Sequence, residues 1–115
     1  MRPQEISMCM WASAAIWDST SSRAKSIVRD VEPIIENYIS EMNSQQLATC
    51  ALACAKLDGP RLTERLASQS ALRMSSFSQQ DVENVVSALA QIESPHEPVE
   101  TAAMARVMEF VRDKA

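Results

Sequence analysis

One segment of this chain is written three times. Met1–Ile16 (MRPQEISMCMWASAAI), Met42–Leu57 (MNSQQLATCALACAKL) and Phe77–Ile92 (FSQQDVENVVSALAQI) align without a gap, starting 41 and then 35 residues apart. Numbering the columns from the start of each copy, Gln4, Gln45 and Gln80 share column 4, Ala12, Ala53 and Ala88 share column 12, and Ala14, Ala55 and Ala90 share column 14. A period in this range belongs to two-helix units, each unable to bury its apolar face alone and therefore stacked on its neighbours. The expectation is an all-α fold: a short α-solenoid of three helix-turn-helix repeats (A-B-A-B-A-B) in a single domain over residues 1–115. The repeats fall at about 1–41, 42–76 and 77–115. Arrays of this kind usually present a surface for binding.

Composition agrees with helix throughout. Ala, Met, Leu, Gln, Glu and Arg are abundant, and one glycine leaves little material for hairpins. With 11 basic and 15 acidic side chains the formal charge is −4, which argues against a chain that simply coats nucleic acid. Three cysteines are an odd number and lack paired C-x-x-C spacing, so a reducing compartment is expected. No apolar run approaches the roughly 20 residues a bilayer-spanning helix needs, so no membrane insertion is expected. Pro3 already belongs to the first copy, which leaves no room upstream for a targeting peptide; either none exists or the sequence is a mature or partial form.

Each copy begins like a helix. Ser78 with Asp81, and Asn43 with Gln46, have the spacing of a capping box. In the first copy Arg2 is a poor cap, but Pro3 suits the first helical turn. Columns 6, 9, 10, 13 and 16 form the predicted buried stripe: Ile6, Cys9, Met10, Ser13 and Ile16; then Leu47, Cys50, Ala51, Cys54 and Leu57; then Val82, Val85, Val86, Leu89 and Ile92. At about 100° per residue, columns 12 and 14 flank that stripe on opposite sides. Alanine at both lets equivalent helices lie close together.

Second helices are expected between and after the copies. The first runs from about Ser21 to Ser40, with Pro33 expected to kink or split it. The Asp58-Gly59-Pro60 break leads into a helix from Arg61 to about Met74. The Ser94-Pro95-His96-Glu97-Pro98 break leads into another from Val99 to about Lys114, with Val99, Ala103, Val107, Phe110 and Val111 as its apolar stripe.

No residue set points to catalysis. Cys50 and Cys54 stand one helical turn apart, but His96 is the only histidine, and a zinc site needs about four ligands. The cysteines read as small core thiols, with no metal and no cofactor expected. There is no G-x-S-x-G and no glycine-rich phosphate loop, and no small-molecule substrate is implied. Carboxylate pairs such as Glu32 and Glu36 read as solvated, and Met10, Met42, Met74 and Met104 or Met108 as core filling.

The remaining face of the A helices is the candidate interface. Columns 4, 8, 11 and 15 read Gln4, Met8, Trp11 and Ala15; Gln45, Thr49, Leu52 and Lys56; and Gln80, Asn84, Ser87 and Gln91. Amides and hydroxyls can hydrogen-bond base edges, and helical repeats read single-stranded RNA in that way. A neutral solvated face or a dock for another protein fits the same residues. Lys56, Arg61 and Arg65 form the nearest basic cluster, able to hold phosphate or to pair with Asp58 and Glu64.

The third copy resembles the F-S-P-Q-E-L-A-N-x-x-W-A-L-A-K-L helix of octotricopeptide and heptatricopeptide repeats. Pro3-Gln4-Glu5-Ile6 with Trp11-Ala12, and Ser44-Gln45-Gln46-Leu47-Ala48 with Ala51-Leu52-Ala53-Cys54-Ala55-Lys56-Leu57, are similar to the same pattern. Such repeats occur in organellar proteins, often with an RAP domain, and a similar helix is found in FAST-kinase-like proteins. Tetratricopeptide and pentatricopeptide patterns fit less well. The resemblance implies RNA binding in a mitochondrion or, alternatively, a plastid. The implied setting is an organellar ribonucleoprotein such as a divergent mitochondrial ribosome, with rRNA or an organellar transcript as partner and neighbouring proteins docked on the solenoid ends. It implies that polar A-helix residues face the RNA. Asn84 alone keeps the family's asparagine, Met8 and Thr49 replacing it, and Trp11 alone keeps the tryptophan. The expected RNA-facing set is therefore Gln4, Gln45, Thr49, Lys56, Arg61, Arg65, Gln80, Asn84 and Gln91, with no catalytic residue among them. A scaffold without RNA contact is the alternative, and the acidic balance favours it.

Overall fold

All three copies fold into helices that begin at the same column. The computed structural model describes residues 2–16, 22–93 and 95–114. Within these the A helices are α1 (Pro3–Ile16), α3 (Ser44–Lys56) and α5 (Gln79–Gln91). The B helices are α2 (Ser22–Tyr38), α4 (Pro60–Leu72) and α6 (Glu97–Lys114). The architecture is all-α, and no strand occurs among the described residues. Met1, Ser21 and Ser94, which entered the expectations above, lie outside the described residues.

Both expected capping boxes form. Gln46 N–H donates to Asn43 Oδ1 at 2.9 Å while Asn43 N–H donates to Gln46 Oε1 at 3.0 Å. Asp81 N–H donates to Ser78 Oγ at 3.2 Å while Ser78 N–H donates to Asp81 Oδ2 at 3.3 Å. Arg2 has no capping oxygen, and its guanidinium sits 4.0 Å from Glu5, in the column that Gln46 and Asp81 occupy.

The endings repeat as well. Leu57 N–H reaches the carbonyls of Ala53 and Ala55, and Ile92 N–H reaches those of Ala88 and Ala90. The residues that follow, Asp58 (φ 60) and Glu93 (φ 53), are both left-handed, the conformation that stops a helix. Gly59, the chain's one glycine, is needed for space: at φ −113 its backbone is ordinary, but an added Cβ would lie 2.8 Å from Val28 Cγ1.

Pro33 does not split α2, which continues as one element from Ser22 to Tyr38. Its ring is on an exposed side of the helix, so the lost hydrogen bond faces water. Short 3₁₀ turns, Ile39–Glu41 and Met74–Ser76, then deliver the buried column-1 residues Met42 and Phe77. The carbonyls of Met42 and Phe77 each take a guanidinium from the following B segment. Arg73 donates to the carbonyls of Met42 and, at 2.8 Å, Ser40; Arg106 Nε donates to Phe77 at 2.9 Å and stacks on Phe110 at 4.4 Å.

The A helices lie side by side, α3 between α1 and α5, with α4 packed beneath α3 and against α6. The column pattern records this stacking. In the middle copy Leu47, Cys50, Ala51, Cys54 and Leu57 are all buried, as the stripe requires. In the first copy Cys9 and Ile16 are exposed and Ser13 is half-buried; in the third Val86 is exposed and Ile92 half-buried. These are corrections to the expected stripe, and position in the array explains the exposed ones, Cys9, Ile16 and Val86. Columns 9, 12 and 16 look toward the preceding repeat, so they are bare on α1. Columns 7, 10 and 14 look toward the following one, so Glu83, Val86 and Ala90 are bare on α5.

The paired alanines follow the same rule. Ala53 and Ala55 are both buried, Ala12 is exposed on α1 and Ala90 on α5. Met10, Met42 and Met74 fill core, but Met104 and Met108 are exposed, as are Val107 and Val111 of the expected α6 stripe. These four correct the expectation for α6, whose outer side has no further B helix among the described residues to lie against.

Candidate nucleic-acid interface

Columns 4, 8, 11 and 15 do form the outward side of the A layer. None of their twelve residues is buried. At the N-terminal half of that layer the three helices line a cleft of about 670 Å³, and its walls are Gln4, Ser7, Met8, Trp11, Ala12, Asn43, Gln45, Gln46, Thr49 and Asn84. Column 8 runs across it, with one residue from each helix: Met8, Thr49 and Asn84. Four of the expected residues, Gln4, Gln45, Thr49 and Asn84, are thus brought together. Ser7, Ala12, Asn43 and Gln46 were not expected there. Ser7, Ala12 and Gln46 flank columns 4 and 8 around the helix, and Asn43 is the cap of α3.

The chemistry of this cleft is polar without charge. Gln80 Nε2 donates to Asn84 Oδ1 at 3.1 Å, which orients the Asn84 amide and leaves its NH₂ as donor. The Trp11 indole, 46 % exposed, supplies a flat apolar wall. Lys56 Nζ lies 4.9 Å from the Trp11 ring centroid, a cation–π contact bridging α3 to α1. None of the ten lining residues is ionisable. A flat, neutral group with donors and acceptors at its edge suits such walls better than a phosphate does.

The expected basic cluster divides. Lys56 goes to Trp11, whereas Arg61 Nε lies 3.6 Å from Glu32 and Arg65 Nε 3.2 Å from Glu36. Glu32 and Glu36, expected to be merely solvated, are thus one-turn-spaced partners that tie α2 to α4 (a correction to that reading). Arg61 and Arg65 do not line the cleft, and neither do Gln80, one turn before Asn84 on α5, and Gln91, at the end of that helix, both exposed.

The thiols and the histidine have structural surroundings. Burial pushes the Cys50 thiol up to about 12, and burial followed by the nearby Cys50 raises Cys54 as well, so neither offers a thiolate at neutral pH. Cys9, expected in the core, is exposed. His96 Nδ1 accepts from Val99 N–H at 3.3 Å at the start of α6, and Nε2 meets Ser68 Oγ of α4 at 3.2 Å. Among the described residues no group of three or more His, Cys, Asp or Glu side chains is placed to hold a metal ion. No helix there is long and apolar enough to cross a membrane. Compared with protein-family models, curated proteins and solved structures, the chain matches none.

Proposed function

We propose that this chain is a non-catalytic helical-repeat protein that holds single-stranded RNA on its A-helix face, as a structural subunit of an organellar ribonucleoprotein. The observation that carries the reading is the cleft itself. It is an indole wall beside amide and hydroxyl groups from three successive repeats, the combination by which bases are stacked and their edges read. The organellar setting, a mitochondrial ribosome or else a plastid particle, rests on the resemblance of the three copies to octotricopeptide-type helices.

The test is fluorescence anisotropy with short labelled single-stranded RNA. W11A is expected to weaken binding by about 1–3 kcal/mol, the usual worth of one stacked base, and N84A to weaken it as well. R61A and R65A are expected to change affinity by less than about twofold, because their guanidinia are engaged by Glu32 and Glu36. With Lys56 the cation that touches a cleft wall among the described residues, log affinity should fall against log salt with a slope of only about 0.7. No binding, or binding indifferent to Trp11 and Asn84, sinks the proposal.

A second reading, a protein–protein scaffold without RNA contact, is favoured by the exposed apolar residues at the two ends of the stack. Crosslinking in an organelle extract separates the two, since the scaffold yields a protein partner and no RNA crosslink.

A further inference from the structure

Among the described residues both halves of the repeat interface stand bare, one at each end of the A layer. Inside the molecule the interface is made twice, between α1 and α3 and between α3 and α5: columns 7, 10 and 14 are buried on the forward side at Ser7, Met10, Ala48, Ala51 and Ala55, and columns 9 and 12 on the backward side at Cys50, Ala53, Val85 and Ala88. On α5 the forward half is bare, with Val86 46 % exposed and Ala90 exposed, and the groove beside it is lined by Val86, Leu89, Ala90 and Val99. On α1 the backward half is bare, with Cys9 and Ala12 exposed and Ile16 70 % exposed. The B layer continues this on the forward side, where Val107, Phe110 and Val111 line a second groove of about 280 Å³ between α5 and α6.

We infer that α1 of a second copy occupies the α5–α6 face, so that molecules associate head to tail and continue the solenoid. Two features point to a second copy rather than to an unrelated helix. The two bare halves belong to one interface that the chain already makes twice, in the same columns. Alanine flanks keep the close approach available at both ends. The contact is heterologous, joining different faces of the two molecules, so each association leaves another pair of free halves. Glu83 is the one discordant residue. It stands in column 7, where the earlier copies have Ser7 and Ala48, and it would bring a carboxylate into the contact. This predicts a weak, extendable association.

The test is sedimentation velocity over a wide protein concentration range, with two variants that leave the RNA cleft untouched. V86E blocks the forward face and C9K the backward face, and circular dichroism checks that both remain helical. Wild type is expected to shift to larger species with concentration, and each variant alone to sediment as a monomer, its association weakened at least about tenfold. An equimolar mixture should form a dimer and nothing larger, because each variant supplies the half the other lacks. E83Q should strengthen association of the wild type. A wild type that stays monomeric overturns the inference. So does association that V86E abolishes and C9K does not, which means a self-complementary contact, or association that survives both.

Discussion

α1 and α3 are copies of one helix, yet one is mostly surface and the other mostly core. α3 buries Leu47, Ala48, Cys50, Ala51, Ala53, Cys54 and Ala55, whereas α1 buries only Ile6, Ser7 and Met10. The columns are the same and the residues are of similar type, so what differs is the neighbours. α3 has an A helix on either side, and α1 has one on its forward side alone among the described residues. In a stacked array, burial belongs to a column together with its position in the stack, and only secondarily to the residue.

The largest effect that tests this lies in column 16. Leu57 is fully buried and Ile16 is 70 % exposed. L57A is expected to destabilise by about 2–5 kcal/mol, the usual range for a large-to-small change in a packed core. I16A should stay within about 0.5 kcal/mol, as at an ordinary surface site. Urea denaturation of both variants measures the difference. Equal losses would mean that Ile16 is covered, and the contrast between the two copies would fail.

How legible this was depends on the range of the interaction. Register, caps and helix starts are local, and the Asn43–Gln46 and Ser78–Asp81 pairs could be read from spacing alone. The stripe needed only a helical period, and it holds wherever a copy has neighbours on both sides. It failed at Cys9, Ile16 and Val86, because nothing within sixteen residues says which copy is terminal. The pairing of Arg61 and Arg65 with Glu32 and Glu36 was hidden for a similar reason: it connects α2 to α4 across 29 residues. The cleft was half legible. Columns 4 and 8 could be placed outward from the period, but the convergence of Met8, Thr49 and Asn84 depends on how one helix leans on the next. The caps on the column-1 carbonyls by Arg73 and Arg106 left no periodic trace at all.

Column 9 offers an intermediate effect through its thiols. Cys50 is buried and its thiol is pushed up to about 12 from an ordinary 9.0, whereas Cys9 in the same column is exposed. The folded state therefore holds the Cys50 proton over a range where the unfolded chain releases it. Stability falls as pH rises above about 9 and goes on falling toward about 12. At pH 10, one unit above the unfolded value, the loss is about 1 kcal/mol. C50A should make the alkaline slope of the unfolding free energy shallower, leaving the share of the buried Cys54, and C9A should not change it. Native-state maleimide labelling at neutral pH should modify Cys9 while sparing Cys50 and Cys54. Rapid labelling of all three would mean that the α1–α3 contact opens readily.

The smallest effect concerns the start of α1, where the first copy departs from its siblings. Ile6 N–H already donates to the Arg2 carbonyl at 3.1 Å, as Leu47 and Val82 do to Asn43 and Ser78. Arg2 therefore occupies the N-cap site by backbone geometry, without a side-chain oxygen to use it. R2S supplies that oxygen three residues before Glu5, recreating the S-x-x-E capping box. The expected gain is about 0.5–1 kcal/mol, less whatever the exposed Arg2–Glu5 pair at 4.0 Å contributes, which for a surface pair is small. The reverse changes, N43A and S78A, should each cost about 1 kcal/mol. Because α1 has a single A-helix neighbour, its cap should also govern how fast its backbone amides exchange. Hydrogen exchange in R2S should slow across α1 and leave α3 unchanged, and slowing spread evenly over both helices would show that the end copy does not open independently of the middle one.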